Sequence, residues 1–384
     1  MVTIMIGGKV ILPDFSGFCE KDLWIEDGKI VAPCQQADRI IDAQGRYILP
    51  GLIDIHNHGS NGDSYSYDTN FDNIRKYCAS QGITGVLATS ETYPKETMLK
   101  IIRKMARLAK ESCTGATIWG IHLEGPFISS GKSGAMPDSS EDQSTVALFE
   151  EFVAAGEGLV KVMTLAPERE NAQGIIRRGT EMGIRMSFAH TLATYEETLA
   201  GIAAGATGAT HTFNAMPPLM HRAPGVLGAV LTEPAVTCEA ICDFVHLAPA
   251  TVKLIYAAKG VDGMIMVSDA GPQTGLPDGD FLFGTSLYVT VKTTDGKRLC
   301  TVRGKDTIAG SMYNLADGAR NMVKLGIPLN HVSKMASYNP AKAARIDHIV
   351  GNIDIGKQAD LIFVDEAFHV ERVFVAGNEF ISKG

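Results

Sequence analysis

Short apolar runs rich in β-branched residues alternate with segments of helical spacing through the middle of the chain. This alternation is typical of a parallel sheet whose strands are joined by helices. The predicted strands lie at 52–56, 85–89, 118–123, 160–165, 185–189, 209–213, 237–241 and 264–267, and helical spacing is clearest at 71–81, 95–112, 145–155 and 195–204. Eight such units are the number that closes a barrel, so residues 50–348 are predicted to form a (β/α)8 TIM barrel of the α/β class.

Both chain ends carry shorter β patterns instead. At the N-terminal end they lie at 2–6, 9–12, 22–25 and 29–31, and the last two are joined by Asp27-Gly28, a favoured hairpin turn. Similar patterns return at 360–364 and 370–375. Because neither end has enough strands to cover a hydrophobic face alone, residues 1–49 and 349–384 are predicted to form one small β-sandwich domain.

The barrel pattern is interrupted after the eighth run. Residues 281–302 alternate around Asp295-Gly296 and are predicted to be an inserted β-hairpin. Amphipathic helices are predicted beyond the insertion, at 312–325 and 329–344.

Composition and charge narrow the class of partner. Of the 384 residues, 45% are hydrophobic and 20% are charged, which is ordinary for a globular enzyme. The net charge is −8 and no Lys/Arg-rich block occurs, so neither nucleic acid nor a membrane surface is expected as a partner. Seven scattered cysteines without a Cys-x-x-Cys pair indicate neither a disulfide framework nor a zinc ribbon, and they favour a cytoplasmic location.

Acidic and imidazole side chains stand at the trailing ends of the apolar runs, where (β/α)8 barrels gather their catalytic groups. His56 and His58 end the first run, and residues two apart in a strand face the same side, so both imidazoles can reach one site. The pattern His-x-His is weak alone, since a polar turn would look the same.

Glu124, His190 and His211 end the third, fifth and sixth runs. Together they match the His2Glu set of catalytic zinc sites, which leaves one position open for water. A helix cap or a solvated surface carboxylate is the alternative for Glu124 taken alone, but three placements at equivalent depth favour a metal site.

Asp269 follows the eighth run, which is too apolar to hold a carboxylate without a partner. It is either the cap of the next helix or a general base that takes a proton from water activated by the metal. A metal pair bridged by a carboxylated lysine is disfavoured, because Lys161 lies at the start of the fourth run and not at its end.

Residues that follow the sixth and seventh runs are candidates for holding a substrate. They are Asn214, Arg222 and His246. An arginine fork suits a phosphate group, and a histidine can join it. A surface arginine and an internally satisfied histidine are the alternatives, and the residues alone leave both open.

Several segments together resemble the amidohydrolase superfamily and, within it, the branch of the N-acetylglucosamine-6-phosphate deacetylases. They are PGLIDIHNH (50–58), HLEGP (122–126), TLAPE (164–168), ATHTFNAM (209–216), VSD (267–269) and GKQADL (356–361). The resemblance runs along essentially the whole chain.

This resemblance implies a metal-dependent deacetylation that yields glucosamine 6-phosphate and acetate in amino-sugar catabolism. It implies a metal held by Glu124, His190 and His211, with Asp269 as proton acceptor and donor. A zinc ion is expected, and iron, manganese or cobalt suit the same ligands. His56 and His58 match relatives that have a second metal position, so one or two ions are expected.

The resemblance also implies the binding of a small sugar phosphate by a homodimer in which a neighbouring subunit reaches the phosphate. The implied substrate-binding residues are Ala135, Asn214, Ala215, Arg222, His246, Ile308, Ala309 and Gly310.

Three positions depart from the family pattern. Leu192 stands where Asn is common, Ala223 where Glu is usual, and Phe244 where Gly is common. These changes are expected to flank the sugar and to leave the hydrolytic residues intact. They keep open N-acetylgalactosamine 6-phosphate or another N-acyl compound as the substrate. A non-catalytic scaffold is the remaining alternative, although none of the implied ligands is missing.

Overall fold

Strands and helices alternate through most of the computed structural model, which describes residues 1–34, 36–67, 69–136, 144–284 and 287–381. In chain order the strands are β1 (Val2–Ile6), β2 (Lys9–Ile11), β3 (Phe18–Glu20), β4 (Leu23–Glu26), β5 (Lys29–Val31), β6 (Arg39–Asp42), β7 (Tyr47–Pro50), β8 (Leu52–Asn57), β9 (Gly59–Ser60), β10 (Asp63–Ser64), β11 (Ile83–Ser90), β12 (Thr117–Glu124), β13 (Val160–Leu165), β14 (Arg185–Phe188), β15 (Gly208–Ala209), β16 (Thr237–Ile241), β17 (Met264–Val267), β18 (Gly279–Phe283), β19 (Leu287–Thr294), β20 (Lys297–Val302), β21 (Leu361–Val364), β22 (Val370–Val375) and β23 (Asn378–Phe380).

The helices are α1 (Phe71–Ser80), α2 (Lys95–Ala109), α3 (Val146–Ala155), α4 (Ala172–Glu181), α5 (Tyr195–Ala203), α6 (Gly225–Thr232), α7 (Pro249–Gly263), α8 (Leu315–Lys324), α9 (Leu329–Ser333) and α10 (Asn339–Ala343). A 3-10 turn lies at Ser130–Lys132, and a π-helical segment, Lys334–Tyr338, joins α9 to α10. None of the described helices is both long enough and apolar enough to cross a membrane.

Eight parallel strands form the central barrel, in the order β8, β11, β12, β13, β14, β15, β16, β17. The first and last strands meet just beyond their ends, because Asp269 N donates to His56 O at 3.0 Å and His58 N donates to Ala270 O at 2.7 Å. The predicted (β/α)8 barrel is therefore confirmed. The bonds that close it also bring predicted site residues to one rim.

The barrel strands form where apolar residues follow one another without alternation, since a strand between helices and a filled barrel interior is buried on both faces. All eight residues of β11 and all six of β8 are buried. The surrounding helices bury one stripe each. In α2, Met98, Ile102 and Met105 recur at intervals of three or four residues and have no exposed surface.

The sixth barrel strand is much shorter than the sequence predicts. β15 ends at Ala209, whereas the predicted strand extends to residue 213. The following residues form a turn in which His211 has a φ of 33° and Phe213 a φ of 80°. The prediction is wrong beyond Ala209 because left-handed backbone cannot continue a strand.

The two chain ends meet in a six-stranded sheet, in the order β23, β22, β21, β7, β2, β3. β21 lies antiparallel to β7, with Ile362 opposite Leu49. A four-stranded sheet, β5, β4, β1, β6, shares a hydrophobic core with it, to which Met5 and Ile48 contribute. Strands β3, β6, β7 and β23 were not predicted from the sequence. Residues 382–384 of the predicted small domain lie outside the described residues.

The insertion is a three-stranded antiparallel sheet, β18, β19, β20, and not the hairpin predicted over 281–302. Asp295 and Gly296 connect β19 to β20 with φ values of 50° and 73°, as a tight hairpin turn requires. Strand β18 begins at Gly279, two residues before the predicted segment, and makes the third strand of the sheet. Residues 285–286 of the predicted hairpin lie outside the described part of the chain.

Asp360 is a buried carboxylate at the joint between the barrel and the six-stranded sheet. Its Oδ1 accepts hydrogen bonds from Ala376 N at 2.7 Å and from Gln358 Nε2 at 3.0 Å. Its Oδ2 has no hydrogen-bond partner among the described residues. Burial raises the pKa of Asp360 to about 6, because it outweighs the hydrogen bonds that lower it.

Asp360→Asn is expected to stabilise the protein roughly twice as much at pH 8 as at pH 5. A carboxyl group whose pKa is raised from 3.8 to about 6 binds a proton more tightly in the folded chain, so the wild type loses stability as the pH rises through this range. The asparagine does not titrate, and the loss it avoids is at most about 3 kcal/mol. Urea unfolding at both pH values measures the difference, and an equal difference at the two would contradict a raised pKa.

Candidate active site

Six side chains from five strand ends meet at the mouth of the barrel. Glu124 Oε1 lies 2.9 Å from His211 Nε2, 3.2 Å from His190 Nε2 and 3.4 Å from His56 Nε2. Glu124 Oε2 lies 3.2 Å from His58 Nε2. The carboxylate of Glu124 is therefore surrounded by four imidazoles, and all five side chains are buried.

Asp269 joins the cluster beside the first barrel strand. Its Oδ1 lies 3.4 Å from His58 Nε2 and 3.5 Å from His56 Nε2. The six residues form two groups of three potential ligands, His56, His58 and Asp269 in one and Glu124, His190 and His211 in the other. The structure thus brings together all the side chains that the sequence predicts for metal binding and proton transfer.

The spacing of these side chains fits a divalent cation. Ligand atoms about 2.0–2.1 Å from a tetrahedral zinc lie about 3.3 Å from one another. Here the Nε2 atoms of His56 and His58 are 3.1 Å apart, and those of His190 and His211 are 3.0 Å apart. Two imidazole lone pairs that face each other at such distances repel unless a proton or a cation lies between them. Imidazole nitrogens and carboxylate oxygens suit zinc, iron, manganese or cobalt.

Burial and charge act in opposite directions on the pKa values of the cluster. Burial raises the pKa of Glu124, but the charge of His56 and the hydrogen bonds from His190 and His211 bring it well below its usual value. The pKa of Asp269 is likewise lowered, since its interactions with His56 and His58 outweigh the effect of its burial. Burial lowers the pKa of His58, yet Asp269 and Glu124 raise it to about 9. Both carboxylates are therefore ionised at neutral pH, and protons or a cation must balance them.

Three of the six residues have left-handed backbone. The φ angles are 50° at His190, 33° at His211 and 53° at Asp269. Residues other than glycine seldom adopt this region, and holding such sparsely populated conformations costs about 1–3 kcal/mol each. Such outliers are concentrated at functional sites, where the surrounding structure holds them in place.

Glu168 holds the loop that carries His190. Its carboxylate accepts hydrogen bonds from Thr191 Oγ1 and from Leu192 N. His190 Nδ1 donates to Lys132 O at 2.6 Å, which leaves His190 Nε2 for the cluster. Glu168 was not predicted as a site residue, although its place after the fourth barrel strand was a usable signal.

Asp54 fastens the first barrel strand to the last. Its carboxylate accepts hydrogen bonds from Ser268 N at 3.2 Å, from Ser268 Oγ and from Asn57 Nδ2 at 3.1 Å. Burial raises the pKa of Asp54 more than these bonds lower it. The network fixes the relative positions of His56 and Asp269, and Asp54 was not predicted from the sequence.

The cluster forms part of the wall of a cavity of about 920 Å³. Aromatic and aliphatic side chains make up much of the remaining wall, among them Tyr67, Tyr93, Phe283, Leu287 and Val302. A cavity of this volume accommodates a small organic molecule. The polar cluster lies where the reacting part of such a molecule would bind.

The predicted substrate-binding residues divide into two sets. The cavity is lined by Ala135, Asn214, Ala215, His246, Ile308, Ala309 and Gly310. Arg222 is not among the described lining residues and is exposed. Lys132, which was not predicted, is the one Lys or Arg side chain in the described lining, and its Nζ lies 3.4 Å from Met216 O.

His246 is held by a neighbouring carboxylate. Its Nδ1 lies 2.7 Å from Asp243 Oδ2, and its backbone N donates to Asp243 Oδ1 at 2.9 Å. Burial lowers the pKa of His246, but the hydrogen bond and the charge of Asp243 raise it above its usual value. The raised pKa favours the protonated form of His246, whose charge pairs with that of Asp243.

The three departures from the family pattern were expected to flank the sugar. The structure places Leu192, Ala223 and Phe244 outside the described lining of the cavity. Leu192 is 52% exposed, and the Phe244 carbonyl accepts a hydrogen bond from Lys297 Nζ. These residues therefore do not line the cavity themselves, and their expected position flanking the sugar stays a prediction.

A closed barrel with imidazole and carboxylate ligands at its mouth defines a class of metal-dependent hydrolases. The chain belongs to the amidohydrolase family, whose model matches residues 47–380.

Individual relatives narrow this class. The chain is 34% identical to the N-acetylglucosamine-6-phosphate deacetylase of Bacillus subtilis strain 168, over 94% of this chain and 92% of that protein. It is 28% identical to the N-acetylgalactosamine-6-phosphate deacetylase of Escherichia coli O157:H7, over 98% of this chain and 99% of that protein. A variant N-acetyl-D-glucosamine-6-phosphate deacetylase from Mycobacterium smegmatis, solved in complex with N-acetyl-D-glucosamine-6-phosphate, has a TM-score of 0.89 and 31% identity, and the match covers 100% of this chain and 99% of that one.

Addition of Zn²⁺ to the metal-free protein is expected to raise its unfolding temperature, because the ion binds the folded site. At a free concentration 100 times the dissociation constant, the gain in stability is about 2.7 kcal/mol. Glu124→Gln is expected to lose most of this gain. Glu91→Gln, which changes another carboxylate of the cavity wall, is the matched control and is expected to keep it. Thermal scans with and without a chelator make the comparison, and an undiminished gain in Glu124→Gln would show that the ion binds elsewhere.

Proposed function

We propose that this chain is a metal-dependent deacetylase that converts N-acetylglucosamine 6-phosphate to glucosamine 6-phosphate and acetate. The main support is the convergence of Glu124, His190, His211 and Asp269 at a cavity in a chain of this family. Relatives named for this reaction align along nearly the whole chain, and one of them was solved with the phosphorylated sugar.

Glu124, His190 and His211 are the proposed ligands of the ion, and His56 and His58 with Asp269 are those of a second position. When bound, a divalent ion makes water a nucleophile at neutral pH and polarises an amide carbonyl. We propose zinc, because three protein ligands and one open position are its usual catalytic arrangement. Two separate groups of ligands support up to two ions per subunit.

Asp269 carries the proton in the proposed reaction. Its carboxylate is ionised and lines the cavity beside His58. It accepts a proton from the water that attacks the acetyl carbonyl, and it donates this proton to the amine nitrogen as the C–N bond breaks. The return of the proton is needed because an amide nitrogen leaves poorly as an anion.

The sugar phosphate is proposed to bind between the cluster and the rest of the cavity wall. Asn214, Ala215 and His246 contact the sugar phosphate in this proposal, and Ala135 with Ile308, Ala309 and Gly310 line the space for the sugar. Protonated His246 and Lys132 offer charge-assisted hydrogen bonds to the phosphate.

Arg222 is proposed to act in a homodimer. It follows two exposed apolar residues, Leu219 and Met220, at 44% and 54% exposure. Apolar side chains beside an arginine suit a contact with a second copy of the chain, through which Arg222 would reach the partner's phosphate site.

A cytoplasmic location is part of the same proposal, and the seven unpaired cysteines support a reducing compartment.

Asp269→Asn is expected to retain the ion held by Glu124, His190 and His211 and to lose at least about 100-fold in kcat, which is the usual range for loss of a general acid-base. The amide has the size of the carboxylate but cannot take up a proton. Metal analysis and deacetylation kinetics measure the two effects. The matched control is Asp280→Asn, an exposed carboxylate of the insertion. Turnover near that of the wild type would contradict the role of Asp269.

Lys132→Met and Arg222→Met are each expected to raise KM for N-acetylglucosamine 6-phosphate about 10-fold to 100-fold, the equivalent of one hydrogen bond to a charged group. Neither should change the rate on unphosphorylated N-acetylglucosamine. Lys292→Met, in the insertion and outside the described cavity lining, is the control. An equal loss on both substrates would show that the residue does not bind phosphate.

Kinetics of the wild-type protein on N-acetylgalactosamine 6-phosphate decide between the two epimers. A higher kcat/KM for the galactose epimer than for N-acetylglucosamine 6-phosphate would favour that alternative.

A further inference from the structure

A carboxylate that the proposed mechanism does not use lies inside the barrel. Glu239, in β16, has no exposed surface. Neither of its carboxylate oxygens has a hydrogen-bond partner among the described residues. A buried carboxylate is unfavourable unless it is paired, so the neighbours of Glu239 show what it does.

Two nitrogen-bearing groups face Glu239. His56 Nδ1 lies 3.8 Å from Oε2, and Arg185 Nη2 lies 3.9 Å from Oε1. His56 Nδ1 and Arg185 Nε also lack hydrogen-bond partners in the described part of the chain. The gaps exceed an N–H···O bond by about 1 Å and are too narrow for a bridging water, which would need two such bonds. A small shift of the side chains therefore makes direct contacts.

The barrel interior is shaped to let Arg185 approach Glu239. β15 lies between the strands that carry these two residues, and Gly208 in β15 has no side chain. A Cβ atom at this position would lie 2.9 Å from Arg185 Nε and 2.6 Å from Ser187 Oγ. Glycine at 208 thus leaves the space through which the guanidinium extends.

Both ring nitrogens of a second imidazole nearby, that of His122, already have hydrogen-bond partners. The rings of His122 and His56 are 4.8 Å apart. His122 Nδ1 donates to Ile55 O at 2.9 Å, and its Nε2 accepts from Thr164 Oγ1 at 2.8 Å. His122 has no hydrogen left for Glu239, so His56 is the imidazole that can pair with this carboxylate.

We infer that Glu239 is a positioning residue for the metal centre: it accepts a hydrogen bond from His56 Nδ1 and thereby directs the lone pair of His56 Nε2 towards the ion. This inference rests on the proposed function. Arg185 balances the charge of Glu239 from the other side. A carboxylate behind a histidine ligand fixes its orientation and makes it a better ligand, and loss of such a partner typically weakens metal affinity about 10-fold to 100-fold.

Glu239→Gln tests the inference through metal affinity. Competition with a chelating indicator is expected to show Zn²⁺ and Co²⁺ binding weakened about 10-fold to 100-fold, and the visible absorption of the Co²⁺ form is expected to change. Asp360→Asn, a buried carboxylate-to-amide change away from the cluster, is the matched control. It should leave the metal affinity and the absorption of the Co²⁺ form unchanged. Glu239→Asp keeps the charge beside Arg185 but draws the oxygen away from His56 Nδ1. It is expected to weaken binding as well, and it serves as the test if the glutamine variant does not fold.

A double-mutant cycle separates positioning from a purely structural role. In a His56→Gln background, Glu239→Gln is expected to cause no further loss of metal affinity. An equal loss with and without His56 would overturn the inference, and so would unchanged affinity and absorption in both Glu239 variants. Wild-type protein that binds no divalent ion would instead overturn the proposed function, so the two failures are distinguishable.

Discussion

The structure depends on the balance of charge around Glu124. Glu124 and four imidazoles are buried together with the partly buried Asp269 where the barrel strands end, and low pKa values keep both carboxylates ionised. Burial of such charges is unfavourable unless opposite charge lies within the same space. A divalent cation supplies that charge at the distances seen between the ligand atoms, whereas protons would have to be distributed over imidazoles that face one another. The composition of the cluster thus makes metal binding part of the stability of the barrel mouth.

Closure of the barrel and construction of the site use the same bonds. The backbone contacts between Asp269 and His56 join the last strand to the first, and Asp54 strengthens this joint through Ser268. The left-handed residues at the site are unfavourable locally, and hydrogen bonds from the surrounding loops offset this cost, as Glu168 does for the loop of His190. Loss of these supports would displace metal-binding side chains without removing any of them.

The sequence made the barrel and the six clustered side chains predictable for one physical reason. Strands buried on both faces are continuous apolar runs, and an acid or imidazole after such a run stands at the rim. The carboxylates that support the cluster were harder to predict from the sequence. Glu239 lies within an apolar run, where it interrupts the pattern without indicating its partner, and Asp54 lies two residues before a more conspicuous histidine. Arg222 and Lys132 show the other difficulty, because which residues of a loop line the cavity depends on backbone turns that no local pattern specifies.

An acidic protein can still bind an anionic substrate if its charges are segregated within the cavity. The carboxylates of Glu124 and Asp269 are surrounded by imidazoles and suit a cation. Lys132 lies in the cavity wall together with His246, whose raised pKa favours its protonated form. In the proposed reaction the phosphate is attracted to these two residues, whereas the neutral acetamide carries no charge that would draw it to them. Electrostatics therefore favours one orientation of the substrate, with the amide at Asp269, before any sugar hydroxyl is recognised.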